Sequence, residues 1–343
     1  VDSAEGGTIV RVRRPDRKEA RVATIYDVAR LAGVSPATVS RVFNGTTVTP
    51  ENERVVREAA LHLDFVPNRT ARTLRRRSSD IIALVIPDIE NPYFTALARG
   101  VEDEARAAGY SVVLCNTDDD VARESDYLEV AVSEHMAGVI IAAASDQSDL
   151  TTVLRRNTAV VAVDRVPHGA TIDAVTVDNA VGAELATRLL VERGYERIAC
   201  IAGPRDVETS VARVSGWRTA LSRAGLRIDD DLVDHADFRV DGGSAAMSRL
   251  LDRRERPDAV FVANNLMSVG ALRALRDAGI HPPEIGVASF GALPFSTSAP
   301  TGVSMVSLPA RELGASAARM LLARIGGDRQ EPRTIVLEAT PIG

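Results

Sequence analysis

Apolar residues fall in two different rhythms along this chain. Between about residues 23 and 65 they recur at three- and four-residue spacing in short bursts, each opened by a hydroxyl residue, which is the mark of short capped helices. Thr24, with Asp27 three residues on, forms a capping box in front of a face made by Ile25, Val28 and Ala29. This first helix is predicted to run to about Leu31, with Ala32-Gly33-Val34 as a tight turn. Ser35 caps a second helix whose first position is Pro36, where a missing N–H costs nothing, and which extends to Phe43 before Asn44-Gly45 stops it. Thr49-Pro50 repeats the signal, and Val55, Ala59 and Leu63 mark the face of a third helix.

From Asp80 the rhythm changes. Apolar runs of strand length (IIALVI, SVVLC, GVIIAA, AVVAV, AVTV, RIACIAG, DAVFVA, IGVASF) alternate with segments of helical period, such as the stripe Phe94, Leu97, Ala98, Val101 and Ala105. That alternation predicts parallel sheets with helices on both faces. About ten strands are too many for one compact sheet of this kind, so two lobes of five to six fit better. The predicted fold is an α/β body of two doubly wound parallel-sheet lobes, preceded by a small all-α headpiece. By this reading residues 1–22 are a disordered basic tail, 23–67 the headpiece and 68–79 a linking helix, leaving 80–343 as the two-lobed body. Asp178-Asn179 and the stretch from Ser304 to Pro309 are the candidate crossovers. They give an N-lobe of about 80–178 plus 305–326 and a C-lobe of about 179–304 plus 327–343.

Charge sharpens the division. The net formal charge is -6, but residues 1–78 carry 15 Arg and Lys against 9 Asp and Glu, and the remainder 26 against 38. A basic head on an acidic body suits a head that meets a polyanion and a body that repels it. A charged extension on an ordinary enzyme is the bland alternative. Cys115 and Cys200 sit in apolar runs and read as core thiols, with no disulfide framework and no metal-ligand spacing. There is no apolar signal core, and no run approaches the ~18 apolar residues of a membrane span. The expected location is cytoplasmic, with no membrane partner.

Residues 24–45, TIYDVARLAGVSPATVSRVFNG, have the helix, glycine turn and second helix of a helix-turn-helix, whose second helix enters the DNA major groove. Pro36, Ala37 and Arg41 should face outward there, while Val39 and Val42 face in. Arg41 is the strongest base reader, because a guanidinium can engage guanine O6 and N7 together; Pro36 and Ala37 offer only apolar contact. Ser35, Thr38 and Ser40 are small hydroxyls suited to phosphates. A solvated helix arginine is the alternative for Arg41 taken alone. A second basic stretch, VPNRTARTLRRRSSD, has Asn68 as the cap of a one-to-two-turn helix bearing Arg69, Arg72, Arg75, Arg76 and Arg77 around Leu74. So short a helix, with its arginines repelling one another, should be ordered only by phosphates. Leu74 could then wedge between base steps from the minor groove, or instead pack on a lobe as part of a flexible linker.

These residues resemble the lactose-repressor (LacI/GalR) family of bacterial transcription regulators from about Thr24 to the C-terminus. TIYDVARLAGVSPATVSRVFN is similar to the family's DNA-binding signature, VPNRTARTLR to its hinge helix and IALVIPDIENPYF to the first strand and ligand loop of its sensor. The resemblance implies a sequence-specific repressor that dimerises on a palindromic double-stranded operator, and whose affinity for DNA is set by a small molecule bound between two periplasmic-binding-protein-like lobes. It adds Thr24, Tyr26, Asn44, Asn68 and Ala71 to the DNA-contacting positions, alongside Arg72, Leu74 and Arg75. It also maps an effector cleft onto Tyr93, Phe94, Asp164, Arg165, Thr209, Arg213, Phe238 and Asn265, with a sugar or related metabolite as the implied ligand.

Two departures stand out. Asn265 replaces an Asp of many relatives, and SFGALP places Gly291 and Ala292 where a GFDD-type turn has carboxylates. Fewer acceptors for sugar hydroxyls beside Arg165, Arg213, Arg205 and His168 tilt the expected ligand toward an acidic or phosphorylated metabolite. An enzyme on a doubly wound fold is the rival class, but GxGxxG after a strand, GxxxxGK[ST], HExxH and GxSxG are all absent. An exported solute-binding protein would share the lobes but not the basic head. The acidic run Asp118-Asp119-Asp120 reads as a solvated loop. No catalytic residue, cofactor or metal is expected.

Overall fold

The computed structural model describes residues 23–43, 47–65, 79–296 and 298–342. The predicted basic tail and linking helix, with Asn44, Asn68, Ala71, Arg72, Leu74 and Arg75, lie outside the described residues. The chain divides into two compact units, residues 1–72 and 73–343.

The first unit holds helices α1 (Ile25–Ala32), α2 (Pro36–Phe43) and α3 (Pro50–His62). Each start is fixed chemically. The Thr24–Asp27 capping box closes with the Thr24 N–H donating to Asp27 Oδ2 at 3.0 Å, Ser35 Oγ accepts the Thr38 N–H at 3.1 Å, and Thr49 caps α3 ahead of Pro50. Gly33, at φ 67°, makes the left-handed turn between α1 and α2 that a side chain would resist. Val28, Ala29, Val39, Val42, Val56, Ala59 and Ala60 form the core, flanked by Ile25, Leu63 and the tilted Phe43–Phe65 pair. The buried stripe of α3 thus runs through Val56 rather than the expected Val55, because the helix turns its small residues Ala59 and Ala60 inward and leaves Leu61 exposed.

The second unit is built on two six-stranded sheets. The N-lobe sheet has the order β11-β5-β4-β3-β1-β2, using β1 (Ile81–Ile86), β2 (Ser111–Asn116), β3 (Gly138–Ile141), β4 (Ala159–Val163), β5 (Asp173–Val177) and β11 (Thr334–Leu337). The C-lobe sheet runs β12-β10-β9-β8-β6-β7, from β6 (Ile198–Ala202), β7 (Val233–His235), β8 (Ala259–Val262), β9 (Gly286–Phe290), β10 (Val303–Ser307) and β12 (Thr340–Ile342). Every pairing is parallel except β10 with β12. Helices α4 (Pro92–Ala107), α5 (Val121–Ser133), α6 (Thr151–Leu154) and α11 (Ala310–Ile325) belong to the N-lobe. Helices α7 (Asn179–Val191), α8 (Glu208–Arg223), α9 (Val240–Leu251) and α10 (Asn265–Asp277) belong to the C-lobe. Gly100 on α4 and Gly314 on α11 each face the other helix's backbone so closely that any Cβ would collide with it. Both cysteines are buried and free, and no described helix is long and apolar enough to cross a membrane.

The chain passes between lobes three times: at Asp178, at Leu308-Pro309 and at 338–339. Two expected boundaries move. Of the expected crossover from Ser304 to Pro309, residues 304–307 belong to β10 in the C-lobe sheet, so the passage is confined to its last part, Leu308-Pro309, and the lobe boundary shifts there from 304–305. The segment after residue 326 does not return directly to the C-lobe: β11 first pairs with β5 in the N-lobe, and only β12 crosses back. Buried β-branched and apolar residues fix both sheets, and the ends where parallel strands stop face the space between the lobes.

Candidate functional sites

In the headpiece, α2 turns Pro36, Ala37 and Arg41 outward while Val39 and Val42 are buried, as the apolar period requires. Tyr26 on α1 is exposed, and Thr24 is exposed at its cap. Thr38 and Ser40 are half-buried. Ser35 and Thr38 have local work: their hydroxyls lie 2.9 Å apart, and Ser35 satisfies an orphan backbone donor at the start of α2. Arg41 has no ion pair among the described residues. What remains is an exposed guanidinium on a helix anchored by two buried valines, a geometry that can read base edges.

In the body, a cavity of about 280 Å³ lies between the lobes, and all eight predicted effector residues line it. From the N-lobe, the loop after β1 presents Asn91, which caps α4 through Tyr93 N–H, then Tyr93 and Phe94. Tyr93 donates its phenolic proton to Asp164 Oδ1 at 2.7 Å; burial, then the neighbouring Asp164 carboxylate, push that phenol well above its ordinary value. Asp164 and Arg165 follow β4, Asp164 in a left-handed conformation at φ 65°. Phe94 lines the cavity while also belonging to the N-lobe core.

The C-lobe contributes Thr209 and Arg213 from α8, Phe238 ahead of α9, and Asn265 at the start of α10. Arg213 is fixed by two bonds, Nε to Asn179 Oδ1 and Nη1 to the Ala263 carbonyl, each 2.8 Å, and lies 4.3 Å over the Phe290 ring. Burial pulls its pKa down to about 10, with Asp164 opposing, so it stays charged at neutral pH. Asn179 is the first residue past a lobe crossing, so the hinge itself orients this arginine. Phe238 sits at φ 65°, its carbonyl held by Asn264 Nδ2 at 2.7 Å, and its ring presses on Gly203, where a Cβ would strike it.

Several contacts cross the cleft. Asn265 Nδ2 donates to Asn91 Oδ1 at 3.0 Å, Arg239 to Asp118 at 2.9 Å, and the Arg165 guanidinium lies 5.4 Å from the Phe238 centroid. The acidic run is exposed to solvent, as expected, but its carboxylates also have partners. Asp118 binds Arg239, Asp119 accepts Arg165 Nη1 at 2.7 Å, and Asp120 caps α5. This run follows a strand C-terminus, the edge at which parallel sheets bind ligands. Asp237, Arg239, Asn264 and Phe290, missed in the sequence, also line the cavity.

The charge balance differs from the expected one. His168 faces Glu208 rather than the cavity, and Arg205 lies by a separate C-lobe depression with Arg218 and His235. Arg165 and Arg239 are paired with Asp119 and Asp118, and Asp88, Asp164 and Asp237 add carboxylates to the wall. Of the cations behind the tilt toward an acidic ligand, the fold pairs Arg165 with Asp119 and turns Arg205 and His168 away from the cavity, which leaves Arg213 as the one of the four that lines it without a carboxylate partner. Among the described residues, no group of His, Cys, Asp and Glu could hold a metal ion.

Comparison with known proteins finds relatives over both units. Residues 24–68 match the family described as bacterial regulatory proteins, lacI family, and residues 79–340 match periplasmic binding proteins and sugar binding domain of LacI family. The ribose operon repressor of Escherichia coli (strain K12) is 34% identical over 325 residues, 94% of this chain and 98% of that protein. The HTH-type transcriptional regulator CelR of Thermobifida fusca is 36% identical over 327 residues, 92% of this chain and 95% of that one. The solved transcriptional regulator CelR-cellobiose complex superposes with a TM-score of 0.71 at 33% identity, covering 94% of this chain and 98% of that chain.

Proposed function

The chain belongs to the lacI family of bacterial regulatory proteins, and from that premise we propose that it is a cytoplasmic, dimeric repressor whose grip on a palindromic operator is set by a neutral, polyhydroxylated ligand in the inter-lobe cleft. The similar regulators are transcription factors, not enzymes, and the same role is proposed here. Arg41 is the base-reading residue of the headpiece, supported by Tyr26 and Thr24 on the same unit.

The observation that carries the ligand class is the pairing of charges around the cavity. Tyr93 with Asp164 and Arg165 with Asp119 place donors and acceptors side by side, Arg213 is oriented by Asn179, and Phe238 and Phe290 supply ring faces. Such walls suit hydroxyls, which both donate and accept, stacked on an aromatic face. A volume of about 280 Å³ lies at the low end of ligand clefts, which run from roughly 300 to 1,000 Å³, and suits a small ligand such as a sugar. The relatives named for ribose and solved with cellobiose make those two sugars the first to try.

Two measurements test the reading. Titration calorimetry of the full chain with ribose, cellobiose and their phosphorylated or acidic analogues should show binding of an uncharged sugar; binding of acidic analogues alone would overturn the ligand class. Gel retardation on selected genomic fragments should show a specific, salt-sensitive complex that the bound sugar alters. Retardation no stronger than on random duplex would overturn the regulator itself.

A further inference from the structure

Helix α8 carries Thr209 and Arg213 into the cleft, yet its own N-cap residue, Val207, supplies no side-chain acceptor. The acceptor comes from the opposite lobe, where Asp146, in the loop after β3, takes the Glu208 N–H on Oδ2 at 2.8 Å. We propose that Asp146 is a positioning residue for effector binding, one that caps the ligand-bearing helix of the C-lobe from the N-lobe and thereby holds the cleft closed. The proposal rests on the cleft being the effector site, but the contact itself concerns only the two lobes.

The loop that carries Asp146 is built to present it. Glu124, a buried carboxylate on α5, accepts the Ala144 N–H at 2.7 Å. Ser145 and Ser148 close a turn on each other, with the Ser148 N–H donating to the Ser145 carbonyl at 3.1 Å and the Ser145 N–H to Ser148 Oγ at 3.2 Å. The Asp146 carbonyl accepts the His168 N–H at 2.7 Å, tying the loop to the segment after β4. His168 then reaches Glu208 across the same seam, Nε2 to Oε2 at 3.4 Å. This second contact is between exposed groups and contributes little. Glu124 thus has a role that ligand contact does not give it: it fixes the loop whose carboxylate crosses the cleft.

An ordinary N-cap stabilises its helix whatever the lobes do. A cap supplied across the cleft exists only in the closed arrangement, so its whole contribution biases closure. The first turn of α8 carries Thr209, and the next brings Arg213 to Asn179 at the hinge. Losing the cap should both loosen the lobes and fray the turn that faces the ligand.

The test needs neither effector nor operator, so its failure is separable from failure of the ligand reading. Dyes on Glu134→Cys in the N-lobe and Glu192→Cys in the C-lobe of the full chain report lobe separation by single-molecule energy transfer, and deuterium exchange reports the Glu208 amide. Asp146→Ala should lower the closed-to-open ratio about fivefold and speed Glu208 exchange by about the same factor, whereas Asp146→Asn, an equally good cap, should stay within about twofold of the parent. Asp149→Ala, which removes a carboxylate that accepts the Thr151 N–H within the N-lobe, should leave lobe separation unchanged. Parental separation and exchange in the Ala variant would overturn the proposal, as would an Asn variant as open as the Ala variant.

Discussion

Replacing Arg213 with methionine should cost the C-lobe more than any other single change at the cleft wall. The guanidinium donates to Asn179 Oδ1 and to the Ala263 carbonyl at 2.8 Å each, and covers Phe290 at 4.3 Å. Bonds from a charged donor are worth ~1.5–3 kcal/mol each, so two represent about 3–6 kcal/mol gross. Methionine fills part of the volume over Phe290, but it leaves two buried acceptors unsatisfied. The substitution also removes a buried charge whose desolvation pulls its pKa to about 10, which offsets part of the loss and leaves about 2–4 kcal/mol. For a unit of this size, ~2–4 °C in melting temperature accompanies each kcal/mol, so a fall of about 4–16 °C is expected.

Trp217 is the chain's one tryptophan. It is buried one turn along α8 from Arg213 and bonded through Nε1 to the Ile198 carbonyl, so its fluorescence follows the C-lobe. Arg213→Lys keeps the charge but not the fork or the flat face, and should melt between parent and methionine variant. Combining Arg213→Met with Asn179→Ala should be non-additive by about 1.5–3 kcal/mol, since both remove the same bond. A methionine variant melting within about 1 °C of the parent, or an additive double variant, would refute the claim that the hinge and the arginine form one unit.

Arg41→Ala should weaken the specific DNA complex by about 1–3 kcal/mol and relax base choice at one position of each half-site, measured by gel shift against a panel of operator variants; equal loss on random duplex would point to a phosphate contact instead. Burial raises the carboxyl pKa of Glu124 above its ordinary 4.5, so its stabilising contribution is full below that value and is lost as pH rises through the raised one. Glu124→Gln stays neutral and can still accept the Ala144 N–H. It should therefore melt about 2–4 °C above the parent at pH 7, on the order of 1 kcal/mol, with the difference gone by about pH 4. An unchanged or lower melting point at pH 7 would show that the charge of Glu124, not merely its oxygen, is needed.

The headpiece was legible because its signals are local. A capping box, a left-handed glycine and proline at a first helical position each depend on neighbours within four residues, so Thr24, Gly33 and Pro36 announce the ends of α1 and α2 without tertiary information. The miss at Val55 is equally physical. On α3, Val55 and Val56 are adjacent and both apolar, and only the approach of α1 and α2 decides that Val56 faces inward. Strands β1 to β4 were legible as apolar runs, whereas β11 and β12 were not. Thr334–Leu337 alternates exposed and half-buried positions at a sheet edge, and Thr340–Ile342 is three residues long, so neither carries the continuous apolar signature of a buried parallel strand.

The cleft shows what sequence spacing cannot carry. Its eight expected residues came from the family resemblance, and all of them line the cavity, because parallel strands deliver the loops and helix starts that follow them to one edge. Which charges cancel there is a different matter, since Arg165 and Asp119 are 46 residues apart and Arg239 and Asp118 are 121. Counted along the chain, Arg165, Arg205, Arg213 and His168 look like an anion site; in space Arg165 is already paired, while Arg205 and His168 do not line the cavity. Arg213 alone keeps its charge without a hydrogen-bonded carboxylate, and it is the arginine tied to the hinge residue Asn179. A ligand that engages this guanidinium would therefore act on the hinge directly, which gives the coupling between cleft and lobe arrangement a physical route one hydrogen bond long.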